Sequence, residues 1–246
     1  YFGSPGRNYY DGTIAFDEAN NKFSFEINEV KKLLIDNNSR ISLSNNDSGT
    51  SNTVFGSIAG DDLASGGNYN SFFGHNSGHA VTTGDYNTAI GLNALDGATV
   101  PARVTSIGTA SMRGAVTADA IGSVAIGYAS LNVLTSGVGN TAIGYESGDA
   151  LTTSGYNTVV GYQALTTEDV GSHSTAIGYQ ALHSQNTASA GVAGNTAVGL
   201  ESGYHNVTGV NNTYLGYKSG TGASGESNSN NVAVGQSSLL AITTGS

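Results

Sequence analysis

The stretch GYNTVVGYQALTTEDVGSHSTAIGYQAL, residues 155–182, contains one nine-residue phrase twice. The first copy occupies residues 157–165 and the second residues 174–182, so the step between them is 17 residues. A recurring step of this size is typical of chains built from stacked structural repeats. The extent of the repetition therefore decides the fold.

The repetition extends over most of the 246-residue chain. The glycine in the middle of the phrase recurs eleven times at steps of 17 to 21 residues, which assigns residues 52–246 to one repeat domain. We number the phrase from one to nine with this glycine at position five. The predicted turn glycines are Gly56, Gly74, Gly91, Gly108, Gly127, Gly144, Gly161, Gly178, Gly199, Gly216 and Gly235.

Position four is large and apolar in every copy, which predicts that it forms the structural core column. Its residues are Phe55, Phe73, Ile90, Ile107, Ile126, Ile143, Val160, Ile177, Val198, Leu215 and Val234. Positions two to four are rich in β-branched residues and read as a short strand, with positions two and four on one face and position three on the other. A second short strand is predicted at positions six to eight, and turn residues fill the rest.

One repeat is too short to form a core by itself, so the copies are predicted to stack. Each strand would pair in parallel with its equivalent in the next copy, giving an all-β parallel β-roll or β-solenoid of about eleven 17-residue repeats. Position three is mostly Ala, and position eight is always Ala or Ser. These rows of small residues are interpreted as surfaces on which copies of the chain associate, and closed symmetry is usual for such assemblies.

Composition excludes several classes of function. The formal charge of −10 disfavours nucleic acid as a partner, because phosphate neutralisation requires Lys and Arg. The absence of Cys excludes disulfides and thiolate metal sites. No apolar run approaches the ~20 residues of a membrane span, so no membrane insertion is expected. The five His residues are irregularly spaced, and no metal site, cofactor or catalytic residue is predicted.

The phrases NTAIGYESG, STAIGYQAL and NTAVGLESG resemble the repeats of phage tail-fibre proteins, and are similar to the head repeats of trimeric autotransporter adhesins. The resemblance covers residues 52–246. It implies a left-handed roll, a homotrimer, an extracellular fibre of the virion tail and no enzyme activity. The expected partners are copies of the chain itself, other fibre or virion proteins, and a host-surface glycan. Thr at position two and the longer step depart from the adhesin pattern and favour the phage fibre.

Two other functions stay open. The head of a bacterial trimeric adhesin at the cell surface is the alternative binding module. A tailspike that degrades polysaccharide is the enzymatic alternative, and it would need paired carboxylates. Glu146 and Glu201 occupy the same position three copies apart, hence about 14 Å at one strand spacing per copy. Glycosidases hold their carboxyl groups about 5–9.5 Å apart, so this pair does not support the enzyme.

Tyrosines at position six form the candidate surface-binding ladder. They are Tyr128, Tyr145, Tyr162, Tyr179 and Tyr217. Their rings could stack on sugars of a host surface, or they could pack at a sheet edge or at a seam between chains, and the second interpretation is favoured. Asn at position one is interpreted as a turn former within a stacked amide ladder.

Residues 1–51 differ from the repeats and carry five of the eight basic residues. Short strands are predicted at residues 13–16, 23–27, 33–35 and 41–43, with hairpin turns at residues 17–21 and 36–38. This segment is interpreted as an N-terminal β-strand connector or shaft module that precedes the fibre domain.

Overall fold

The computed structural model describes residues 12–17, 22–27, 30–35, 45–46, 49–187, 190–224 and 227–241. Three N-terminal strands, β1 (Gly12–Asp17), β2 (Lys22–Ile27) and β3 (Val30–Ile35), form an antiparallel sheet in the order β1-β2-β3. Three of the four strands predicted for this segment are therefore confirmed. The fourth predicted strand, at residues 41–43, and the turn predicted at residues 36–38 lie outside the described residues. The turn predicted at residues 17–21 also lies outside them, except for Asp17, which is the last residue of β1. A short antiparallel pair follows, formed by β4 (Asn45–Asn46) and β5 (Gly49–Thr50).

The repeats form a parallel β-solenoid. Within the described residues, eleven three-residue strands make one sheet, and each strand pairs with its equivalent in the neighbouring coil. They are β6 (Thr53–Phe55), β7 (Ser71–Phe73), β8 (Thr88–Ile90), β9 (Thr105–Ile107), β10 (Val124–Ile126), β11 (Thr141–Ile143), β12 (Thr158–Val160), β14 (Thr175–Ile177), β16 (Thr196–Val198), β17 (Thr213–Leu215) and β18 (Val232–Val234). The predicted all-β fold and its stacked repeats are confirmed.

Pairing is in register from one coil to the next. Thr141 lies beside Thr158, and Ile143 lies beside Val160, so each position of the phrase forms a continuous column along the stack. A second parallel pair joins β13 (Gly171–Ser172) to β15 (Gly191–Val192), and β15 lies within the longest step, between Gly178 and Gly199. A 3-10 turn at Ala118–Ala120 is the helical element of the described residues. Extra residues therefore lie in the connecting turns and leave the main register intact.

The glycine at position five allows the coils to stack closely. Its φ lies between +109° and +146° in all eleven copies, a region that only glycine adopts easily. A Cβ added at Gly144 would lie 2.3 Å from the carbonyl oxygen of Gly161, the equivalent residue of the next coil. Ten of the eleven predicted turn glycines are thus required both by the backbone conformation and by the contact between coils, whereas a Cβ at Gly235 would meet nothing within 4 Å.

The interior is lined by position three together with residues of the opposite turns. Position three is Ala in most copies and is almost completely buried, and so are the large residues at position nine, such as Leu131 and Leu165, except Leu239 in the last coil. Further along each coil, Leu134 and Leu151 complete the core. The small residues at positions three and eight, interpreted from sequence as surfaces for association, line the inside of the coil instead.

Buried asparagines at position one join the coils. The Oδ1 atom of Asn140 accepts the backbone N–H of Asn157 at 3.0 Å, and the Nδ2 group of Asn140 donates to the carbonyl of Ser154 at 2.8 Å. The same pattern recurs between Asn52 and Asn70 and between Asn195 and Asn212. Each side chain therefore satisfies one donor of the next coil and closes its own turn. The predicted amide ladder is confirmed.

Positions six to eight do not form the predicted second strand. They are turns, and the residue at position seven has a left-handed φ in every copy, for example +49° at Gln163. The conformation is held by the preceding coil, because the Gln163 N–H donates to the carbonyl of Tyr145 at 2.9 Å. Contacts between coils therefore override the local preference of these residues for extended backbone.

Candidate functional site

The position-four column lies on the outside of the coil. Phe55 is 47% exposed, Phe73 55% and Ile143 38%, whereas Ala142 beside Ile143 is fully buried. The predicted core column is therefore wrong for a single chain. Its exposed members are Phe55, Phe73, Ile90, Ile143, Ile177, Leu215 and Val234, and Ile107, Ile126, Val160 and Val198 are partly exposed. The strand was placed correctly, but its two faces were interchanged.

The reason for the interchange is the width of the interior. Leucines from the turns already occupy the space beneath the sheet, so only a small residue fits at most copies of position three. Large side chains consequently point outward at position four. Because the strands are in register, these side chains form one continuous apolar stripe along all eleven coils, which we call the apolar stripe. Phe55 and Phe73 begin it as a stacked pair with ring centroids 5.0 Å apart.

Two copies of position three are large, and the glycines that accommodate them reveal which face is inside. A Cβ added at Gly78 would lie 2.6 Å from the Phe72 ring, and one at Gly220 would lie 2.2 Å from the ring of Tyr214. Both glycines occupy position nine. A large residue at position three thus coincides with glycine at position nine, and this coincidence is visible in the sequence.

The tyrosine ladder stands beside the stripe. Tyr128, Tyr145, Tyr162 and Tyr179 are 42–47% exposed and stack with ring centroids 4.9, 5.1 and 5.4 Å apart. Tyr217, equally exposed, is separated from them by Leu200 at position six, and the Lys218 ammonium lies 5.6 Å from its ring centroid. In the four-membered stack the inner rings have both faces covered, so only ring edges and hydroxyl groups reach the solvent. The faces of the inner rings are therefore covered by neighbouring tyrosines and are not open to a sugar.

Polar side chains at position seven form a second row next to the tyrosines. The Gln163 amide donates to Glu146 at 2.9 Å, and the Gln180 amide donates to Gln163 at 3.0 Å. Two copies further on, Lys218 forms an ion pair with Glu201 at 3.1 Å. The pKa of the Tyr145 hydroxyl is raised, chiefly by its hydrogen bond to Glu146. These residues hold one another in place along the stack.

Glu168 is a buried carboxylate that the sequence did not single out. Its Oε1 accepts from the N–H of Gly171 at 2.7 Å and from the Thr187 hydroxyl at 3.0 Å, and its Oε2 accepts from the Gln185 amide at 2.9 Å. Glu168 lies at the position that Leu151 occupies in the preceding coil. The core becomes polar here, close to the longest connection between repeats. The neighbouring Asp169 is exposed. The one sequence signal that Glu168 points inward is its position, which is equivalent to that of the buried Leu134 and Leu151 in the preceding coils.

The remaining titratable groups are dispersed among the turns. His79 pairs with Asp96 at 3.3 Å, and burial lowers the pKa of His183. Over the described ranges, no group of three or more His, Asp or Glu residues is arranged to hold a metal ion. In the same part of the chain, no helix is both long enough and apolar enough to cross a membrane.

No protein-family model, curated protein or solved structure matches this chain. The functional assignment therefore rests on the repeated phrase and on the geometry of the exposed columns.

Proposed function

We propose that this chain is a structural fibre segment that assembles with two further copies of itself through the apolar stripe. The observation that carries the proposal is the continuity of the stripe, which presents a large apolar residue in each of eleven consecutive coils. Exposed apolar surface of this extent marks an interaction site. A partner that repeats at the same spacing fits every coil of the stripe at once, and a second copy of the chain has that spacing.

Association along the stripe would supply much of the stability that a thin coil lacks. Burying an exposed half of an Ile or Phe side chain contributes on the order of 1–2 kcal/mol. The seven exposed members of the stripe would contribute roughly 7–14 kcal/mol per chain, and the four partly exposed members less, before the entropy of association is subtracted. The rows beside the stripe, Thr or Val at position two and Tyr at position six, would extend the contact. Three is the number of chains implied by the resemblance to fibre and adhesin repeats.

We propose further that the fibre belongs to a phage tail and that the fibre contributes to attachment at the host surface. The support is the resemblance of the repeated phrase, together with the departures from the adhesin pattern at position two and in the step length. A stack of coils repeats its surface features at a constant spacing, so weak contacts to a repetitive surface add up by multivalency. Other fibre or virion proteins would continue the assembly.

The proposal is tested by the molecular mass in solution. Sedimentation equilibrium of the purified chain should give three times the 24.8 kDa of one chain. Ile143→Asp places three carboxylates against the stripe and should shift the assembly toward monomer at micromolar concentration. Val133→Asp is the matched control, because Val133 is similarly exposed, at 41%, but lies off the stripe.

A wild-type chain that sediments as a folded monomer overturns the assembly. An Ile143→Asp variant that remains as tightly associated as Val133→Asp would instead show that the chains meet through another surface. Circular dichroism of both variants separates loss of association from loss of the fold.

A further inference from the structure

The residue immediately before position one, which we call position zero, forms another exposed column. Its backbone is left-handed in every coil, with φ between +55° and +74°. Glycine adopts this conformation without cost, and the chain uses glycine at three of these positions. The column consists of Ser51, Tyr69, Tyr86, Arg103, Gly122, Gly139, Tyr156, His173, Gly194, Asn211 and Asn230.

Large side chains at position zero stack into two short groups. The rings of Tyr69 and Tyr86 lie 4.9 Å apart and nearly parallel, and the Arg103 guanidinium lies 5.3 Å from the Tyr86 ring centroid. Three coils after Arg103, Tyr156 packs on His173 with ring centroids 5.0 Å apart. Tyr69, Tyr86 and Tyr156 are all more than half exposed. The first group therefore ends at Arg103 and the second begins at Tyr156. The two coils between them carry Gly122 and Gly139 at position zero.

Between the two groups lies a notch with a floor of glycine. A Cβ added at Gly122 would meet no atom within 4 Å, and one added at Gly139 would meet the edge of the Tyr156 ring at 3.3 Å. With about 4.8 Å per coil, the backbones of Arg103 and Tyr156 are about 14 Å apart. The notch is thus walled by a guanidinium on one side and an aromatic ring on the other.

The walls of the notch are held at a cost in backbone energy. A left-handed conformation costs roughly 1–2 kcal/mol for a residue with a Cβ, and these exposed side chains contribute little to the core. Arg103 takes part in neither of the ion pairs, His79–Asp96 and Lys218–Glu201, found between described side chains. It is also one of only three basic residues within the repeats. Arg103 is therefore a rare cation of the repeats that lies beside the notch and forms no ion pair with the described side chains.

We propose that the notch binds an acidic carbohydrate, namely a pyranose unit that carries a carboxylate. The guanidinium of Arg103 would bind the carboxylate through two parallel hydrogen bonds, an arrangement that favours Arg over Lys. The apolar C–H face of the sugar ring would lie on the free face of Tyr156. The glycine floor lets the sugar approach the backbone. In contrast to the tyrosine ladder, whose inner rings are covered on both faces, this site offers an uncovered aromatic face next to a cation.

This inference gives a ligand class to the attachment role in the proposed function, and it rests on that role for the origin of the ligand. The site itself is separate from the apolar stripe. Assembly and carbohydrate binding are therefore measured independently, and the failure of one leaves the other standing.

The test uses the 246-residue chain in its assembled form. Calorimetric titration is carried out with oligosaccharides of sialic acid, of galacturonic acid and of alternating glucuronate and N-acetylglucosamine, with neutral oligomers of glucose and N-acetylglucosamine as probes of charge selectivity. At least one acidic oligomer should bind more tightly than the neutral ones. The affinity should fall as salt concentration rises.

Three variants locate the site, and one serves as a matched control. Arg103→Gln should weaken binding about ten- to a hundredfold, as expected when a charge-assisted hydrogen bond is lost. Tyr156→Leu should weaken it by removing the aromatic face. Gly122→Tyr should abolish it by filling the notch, and the fold accommodates this change because the chain already carries Tyr at the same position in Tyr69 and Tyr86. Arg113→Gln removes an exposed cation of the same coil outside the column and should leave binding unchanged.

Three results would overturn the inference. The first is that none of the acidic oligomers binds. The second is that binding persists equally in Arg103→Gln and Gly122→Tyr. The third is that Arg103→Gln or Gly122→Tyr lowers the mass measured by sedimentation equilibrium, which would make position zero a contact between chains.

Discussion

Replacing Gly144 by alanine tests whether the coils are in direct backbone contact at position five. Gly144 has a φ of +139°, and a Cβ there would lie 2.3 Å from the Gly161 carbonyl oxygen. Gly235 is the matched control, because it has the same place in the phrase and a φ of +109°, but a Cβ there would meet nothing within 4 Å. Both variants carry backbone strain, and only the first forces two coils apart.

The difference between the two variants can be estimated from these contacts. Strain at such a φ costs about 1–3 kcal/mol and is common to both. The overlap at Gly144 adds about 1–3 kcal/mol, as overpacking does in cores, and it displaces the Gly161 N–H from the carbonyl of Ile143. That hydrogen bond, 2.8 Å long, contributes about 0.5–1.5 kcal/mol. We expect Gly144→Ala to lose about 2–4 kcal/mol more than Gly235→Ala.

The measurement is urea unfolding followed by far-ultraviolet circular dichroism. All samples are compared at one chain concentration, because association links stability to concentration. Equal losses in the two variants would refute the close stacking, since they would leave only the backbone strain that the two share. A loss confined to Gly144→Ala supports it.

Three further predictions concern the interior. Glu168→Gln should lower the free energy of unfolding by about 1–3 kcal/mol, because the new amide group faces donors that now bind the carboxylate; an unchanged urea midpoint would count against this network. Leu151→Ala should cost about 2–5 kcal/mol by leaving a cavity, whereas Val133→Ala at the surface should change the midpoint little. Burial raises the pKa of Tyr214 to about 12 from its ordinary value of 10.0, so its neutral form is favoured in the folded chain. Stability should therefore be unaffected by this group below about pH 10 and decrease between about pH 10 and 12, and this decrease should be smaller in Tyr214→Phe.

The architecture was predictable because it depends on periodicity. A phrase that recurs at nearly constant steps fixes which residues lie side by side in neighbouring coils, whichever way their side chains point. The strands at positions two to four and the stacking of Thr141 on Thr158 followed from that alone. The requirement for glycine at position five also followed, since no other residue is found there in eleven copies.

The turns after position five were not predictable from local preference. Gln163 and Leu165 both have a left-handed φ, of +49° each, although neither residue type favours that region. Their N–H groups donate to Tyr145 of the preceding coil and to Ala181 of the following coil, at 2.9 and 3.0 Å. The conformation is therefore set by neighbours 17 or so residues away in the chain. The residues of a single copy favour a strand here, and the turn forms only because neighbouring coils are present.

The sequence itself contains a pattern that distinguishes the two faces of the strand. Large residues at position three, Phe72 and Tyr214, occur in copies whose position nine is glycine, whereas residues at position four vary without such compensation. Compensation of volume is expected only where space is limited, which is inside the coil. Position four is free of this constraint and is nevertheless apolar in every copy. The apolar character of this column in every copy, without an internal packing constraint, therefore supports the proposed association of chains through the apolar stripe.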